Sequence, residues 1–173
     1  MMNTKQLTKA ISALAFLLIS TSSFAQTKEP SGDSRDTRLG IGLSLGLPTK
    51  DAYNIAVGGD LRLQKDFYSN VSGLLSLGYT NFSVKNDGGS SGYVPLKAGI
   101  KVFPLARFYF SGEVGAAFGT DKDQSTAFVY APGVGLGFNN GLDLGLRYEG
   151  LSQNDNNLGQ VALRIAYGFN LSR

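Results

Sequence analysis

From Arg38 onward, apolar and polar residues alternate with a period of two in eight successive stretches. That period puts alternate side chains on opposite faces of a β-strand, whereas a helix would scatter them around its axis. In Arg38–Leu47 the apolar face is Leu39, Ile41, Leu43, Leu45 and Leu47, against Gly40, Gly42, Ser44 and Gly46. Asn54–Gln64 sets Ile55, Val57, Leu61 and Leu63 against Asn54, Asp60, Arg62 and Gln64. Val71–Phe82 alternates less cleanly, with Leu75, Leu77 and Tyr79 opposite Ser76, Gly78 and Thr80. Tyr93–Phe103 sets Val94, Leu96, Ala98, Ile100 and Val102 against Lys97, Gly99 and Lys101. Phe108–Gly119, Ala127–Phe138, Leu142–Tyr148 and Gln160–Leu171 continue the rule, with Glu113, Asp143, Arg147 and Arg164 on the polar faces and glycine frequent beside them. Most of these stretches approach the ~9–11 residues that a tilted strand needs to cross a bilayer.

The connections differ in character. PTKDAY, VKNDGGSSG, TDKDQS and LSQNDNN follow the odd-numbered stretches and are polar and mostly longer. KDFYSN, PLAR and NNG follow the even ones and are turn-like. Longer loops at one end and tight turns at the other predict an antiparallel, up-and-down barrel with both chain ends on the tight-turn side.

The N-terminus adds an address. Lys5 and Lys9 precede the short apolar run Ala10–Ile19, and Ser23-Phe24-Ala25 has small residues at both cleavage-determining positions. This order predicts a secretory signal peptide over 1–25, cut after Ala25. The apolar run is shorter than the ~20 residues of a spanning helix. No Cys near the cut offers a lipid anchor. The polar 26–36 segment reads as a flexible lead-in, and 37–173 as one barrel domain. Without Lys5 and Lys9 the net charge of +3 falls to about +1, and no basic cluster remains for nucleic acid. The chain has neither Cys nor His, which removes disulfides, thiol nucleophiles, Ser-His-Asp triads and ordinary zinc sites. No enzyme activity and no cofactor is expected.

Two features predict lipid, not a core, against the apolar face. Aromatics gather near the strand ends: Phe67, Tyr68, Phe103, Phe108, Phe138 and Phe169 on the turn side, and Tyr53, Tyr79, Phe82, Tyr93, Phe118, Tyr130 and Tyr148 on the loop side. The opposite face also carries near-balanced charges, Arg62, Lys97, Lys101, Arg147 and Arg164 against Asp60, Glu113, Asp143 and Glu149. Such groups can satisfy one another inside a lumen. The alternative facing, with the apolar residues inside, describes a soluble periplasmic lipocalin-like binding barrel.

Other motifs carry less. The Gly40–Gly42 and Gly133–Gly137 repeats lie within strand patterns and open no helix, so they are not dinucleotide loops. Asp121–Ser125 resembles the start of a calcium loop but lacks its Gly and final Glu, with Thr126 and Pro132 at those positions. Asn70-Val71-Ser72 and Asn81-Phe82-Ser83 match glycosylation sequons and are discounted. Glu113 and Asp143 are a formal carboxylate pair but read better as counterions.

The closing strand ends in alternate aromatics, Tyr167-Gly168-Phe169, similar to the C-terminal strands of outer-membrane barrels. Tyr93–Lys122 resembles the outer-membrane β-barrel domain family common in Bacteroidota; the chain departs from the barrel pattern in ending on Asn170-Leu171-Ser172-Arg173 and not on a terminal aromatic, which bears on the assembly signal. The resemblance implies residence in outer-membrane lipid, insertion by the barrel-assembly machinery, and a monomer. The expected role is structural or surface-interacting, with paired charges plugging the lumen. A transport barrel for small or apolar solutes is the alternative.

Overall fold

The computed structural model describes residues 36–85, 88–121, 124–153 and 156–172. The expected signal peptide, its cleavage point and all of the lead-in except Asp36 lie outside these residues. Eight strands follow one another: β1 (Thr37–Pro48), β2 (Tyr53–Tyr68), β3 (Val71–Val84), β4 (Ser90–Val102), β5 (Phe108–Gly119), β6 (Ala127–Gly137), β7 (Leu142–Gln153) and β8 (Asn156–Asn170). Each pairs antiparallel with the next, and β8 returns to β1, from Arg38↔Asn170 to Pro48↔Gln160. Closure leaves no full-length strand edge in need of a partner. No described helix is long and apolar enough to cross a membrane.

The ladders run past the points where the alternation fades. β2 begins at Tyr53 and ends at Tyr68. Most of the expected LSQNDNN loop is strand, pairing Leu151↔Leu158, Ser152↔Asn157 and Gln153↔Asn156. Ser90–Gly92, expected in a loop, belong to β4. Backbone hydrogen bonds are indifferent to side-chain polarity, so a ladder continues wherever both strands stay extended. The difference in connection length between the two ends is therefore smaller than the sequence suggests. Pro132 leaves its own mark. The β6–β7 pairing stops at Tyr130↔Gly150 and resumes at Gly133↔Arg147, because proline brings no N–H to the ladder.

The outer surface is apolar. Leu43 is 71% exposed, and Ile41, Leu45, Leu61, Leu77, Ile100, Leu146 and Ile165 are exposed with it. The apolar-inside alternative is not the facing adopted. Aromatic side chains seal this wall by lying over glycines of neighbouring strands. Tyr130 covers Gly150 and Tyr148 covers Gly159 so closely that a Cβ at either glycine would overlap the ring. Gly141, at φ 95°, makes the β6–β7 turn in a backbone region that other residues rarely enter.

Two aromatics expected in the loop-side girdle face inward instead. Phe82 is 0% exposed and Tyr93 is buried, and their rings meet edge-on at 6.1 Å. Ala56, Ala117, Ala127, Val129, Leu151 and Leu158 surround them, with Tyr53 packed against the group. All but Tyr53 share the inward parity of their strands; Tyr53 lies beyond a register shift in β2, between Tyr53 and Ile55. The strands reach beyond the charged level of the lumen here, so these side chains pack against one another, with Lys50 and Gln153 beside them.

Candidate functional site in the barrel lumen

The strands place all nine charged residues of the polar faces inside the barrel. Asp60 and Arg62 come from β2, Lys97 and Lys101 from β4, Glu113 from β5, Asp143, Arg147 and Glu149 from β7, and Arg164 from β8. Lys97 is 2% exposed and Glu149 1%. Inward glycines make room for these long side chains. A Cβ on Gly42 would lie 2.6 Å from Arg164 Nη2, and one on Gly145 would lie 2.9 Å from the Tyr109 hydroxyl.

Pairing crosses the lumen instead of following the ladder. Arg62 Nη2 donates to Glu113 Oε2 at 2.6 Å, joining β2 to β5. Lys97 donates to Glu149 Oε2, and Lys101 donates to Asp143 Oδ2 at 2.6 Å, both joining β4 to β7. Arg164 grips Asp60 with two bonds, Nε to Oδ1 at 2.9 Å and Nη2 to Oδ2 at 2.6 Å. Its Nη1 also reaches Asp143 at 3.4 Å. Arg147 has the loosest seat, 3.6 Å from Glu149 and 3.9 Å from Asp60. The Arg–Asp fork is geometrically specific as well as strong. Buried ions at such spacing offset their lost hydration only when each is paired and its remaining lone pairs are used.

Neutral partners complete the carboxylates. Ser76 donates to Glu113 Oε1 at 2.7 Å, Tyr109 to Asp143 Oδ1 at 2.8 Å, and Gln160 to Glu149 Oε1 at 3.1 Å. Ser44 accepts from Arg147 Nη2 at 3.2 Å. Tyr109 and Gln160 were not singled out from the sequence. Parity alone could have found them, since Tyr109 keeps step with Glu113 and Gln160 with Arg164. Lys101 Nζ sits 4.1 Å from the Tyr109 ring centre, a cation–π contact.

The network is bounded differently at its two ends. Towards the loops it meets the apolar plug around Phe82. Towards the chain ends it faces an open vestibule of about 1190 Å³, bordered by Arg62, Lys101, Asp143 and Arg164 at its inner end. Phe103, expected in the turn-side girdle, stacks edge-on against the inward Tyr109 at 5.6 Å and borders this vestibule.

Gly40 and Gly42 lie within β1, and Gly133, Gly135 and Gly137 within β6, and no helix occurs among the described residues. Lys122 and Asp123 of the calcium-like stretch fall outside the described residues. No group of three or more acidic metal-ligating residues occurs among the described ones. Glu113 and Asp143 are each bonded to a cation and form no free carboxylate pair.

No protein-family model matches the chain, and no curated protein matches it. Solved structures do. The crystal structure of Ail, the attachment invasion locus protein of Yersinia pestis, is similar with a TM-score of 0.60 at 19% identity, over 79% of this chain and 100% of that one. The N-terminal β-barrel domain of Pseudomonas aeruginosa OprF follows with 0.56 at 15% identity, over 76% and 97%. A de novo designed transmembrane β-barrel gives 0.52 at 17% identity, over 76% and 95%. The fold is that of the small transmembrane β-barrels.

Proposed function

We propose that this chain is a non-enzymatic, monomeric outer-membrane barrel, exported by the 1–25 signal peptide, whose lumen is closed and whose role is structural or surface-interacting. The observation that carries this reading is the set of cross-lumen ion pairs, backed by the apolar plug above it. An eight-stranded barrel is only wide enough for its own side chains, and here those side chains lock to one another. The exposed apolar wall supports lipid as its surroundings, because a soluble protein rarely shows so large a continuous apolar surface. Solved outer-membrane proteins with this fold support the same location. The short connection 49–52 offers little surface for adhesion, which favours a structural role within this class. Insertion by the barrel-assembly machinery and kinship with the Bacteroidota barrel domain belong to the same reading; they rest on the Tyr167–Phe169 end and the Tyr93–Lys122 stretch.

Purified protein in a planar bilayer tests the closed lumen. No steady conductance is expected, and sustained ion currents would turn the reading to transport. Membrane fractionation with N-terminal sequencing tests the location: mature protein starting at Gln26 in the outer membrane is expected, and soluble protein retaining Met1 contradicts it. Leu163→Arg on the outer wall should cost about 2–4 kcal/mol of stability in lipid vesicles, and a neutral result would count against lipid at that face.

A further inference from the structure

We propose that the vestibule is a binding site for a small free oxyanion of phosphate or carboxylate type, held where Arg62 and Lys101 border its inner end. The first ground is charge. Arg62, Lys101 and Arg164 border this inner end with the carboxylate of Asp143, and Arg38 and Arg107 line the rest of the vestibule with Asp36 and Asp66. Across the lumen, five cations (these three, Lys97 and Arg147) face four carboxylates. Each cation has a carboxylate within 4 Å, but the charged layer as a whole carries a net charge of +1, in a low-dielectric barrel that focuses its field along the open end.

The second ground is the donor count. Asp60, Glu113, Asp143 and Glu149 each accept at both oxygens. The cations are not used up in the same way. An ammonium has three N–H groups and a guanidinium five. Lys101 gives one hydrogen bond to Asp143, and Arg62 gives one to Glu113. Arg62 Nε is buried and has no hydrogen-bond partner, as is also true of Nε and Nη1 of Arg147, which does not border the vestibule. Spare donors, beside carboxylates whose oxygens each already accept a bond, favour a ligand that brings further acceptors and negative charge. Gln64 and Ser72 on the adjoining wall are polar but turned to Asp66, at 3.0 and 2.5 Å. At the rim, Arg38 lies between Asp36 and Asp66, at 3.5 and 3.6 Å, which tempers the negative charge an entering anion would meet. The vestibule volume is ample for phosphate with its water.

The test is an amide NMR titration of the folded protein in a neutral sugar-based detergent, with sodium phosphate against sodium chloride at constant ionic strength. Saturable shifts are expected at Gln64, Ser72 and Lys101 with phosphate but not chloride, and none at Phe82 or Val129 in the plug. The paired variant Lys101→Met/Asp143→Leu removes donor and counterion together, leaving the lumen's charge balance unchanged. It should weaken phosphate at least tenfold while the plug resonances stay native. Arg62→Lys, which keeps the charge but loses the guanidinium fork, is a second variant and should also weaken binding. Shifts that fail to saturate, that appear equally with chloride, or that survive both variants overturn the proposal. In phospholipid nanodiscs the phosphate shifts should persist; their loss there would assign the site to a lipid headgroup and overturn the free-anion reading.

Discussion

The middle of the lumen and its loop-side end are filled by opposite means. In the middle, Arg62–Glu113, Lys97–Glu149, Lys101–Asp143 and Arg164–Asp60 bridge strands that are not neighbours in the sheet. At the loop side, Phe82, Tyr93, Val129, Leu151 and Leu158 simply pack. The ion pairs are directional, and each member is costly without its partner. The apolar plug is non-directional, and its members can be exchanged for others of similar volume. The first arrangement holds the strands at set distances across the barrel, and the second excludes water from above it. A wall that is apolar outside thus encloses one layer resembling a protein core and another resembling a salt lattice.

The largest expected effect comes from breaking the charged layer on one side only. Glu149→Leu strands Lys97 and deprives Arg147 of its nearer carboxylate, and should cost about 3–5 kcal/mol in urea unfolding from vesicles. Phe82→Ala, the matching cut in the plug, should cost about 3 kcal/mol. It should leave the barrel non-conducting in planar bilayers, because the charged layer still closes the lumen. Currents in that variant would mean that the plug alone is the seal. Gly42→Val drives a side chain into the Arg164 guanidinium and should cost about 1–3 kcal/mol, with the Arg164–Asp60 fork lost from the variant's crystal structure. The smallest effect sharpens the contrast most. Arg62→Met/Glu113→Leu replaces one ion pair by apolar groups and should be near neutral or stabilising by about 1 kcal/mol. A loss as large as that of Glu149→Leu would show that the pair is worth more than its own desolvation.

How far each layer was legible differs in an instructive way. The charged residues stand out because a carboxylate or guanidinium on a strand's polar face contrasts with its leucine neighbours. The plug residues have the same parity as those charges. Phe82 keeps step with Ser76 and Thr80, and Tyr93 with Lys97 and Lys101. Their aromatic character nevertheless suggests the girdle, and Leu151 belongs to the LSQNDNN stretch that reads as a loop, with Leu158 just after it. Polarity outweighed parity in that reading, whereas the backbone obeys parity alone.

The sequence by itself determined the period, the eight strands, their inward and outward faces and the set of charges carried inside. All of these are local properties, set by the alternation of neighbouring side chains along one strand. Only the closed barrel decided which charge meets which, because Arg62 reaches Glu113, and Lys97 reaches Glu149, across a lumen whose curvature and stagger no single strand encodes. It also decided where the strands stop and what fills their loop-side ends. Ladder pairing depends on the partner strand's position in space, and a residue such as Phe82 becomes core or girdle according to how far the barrel wall extends beyond it.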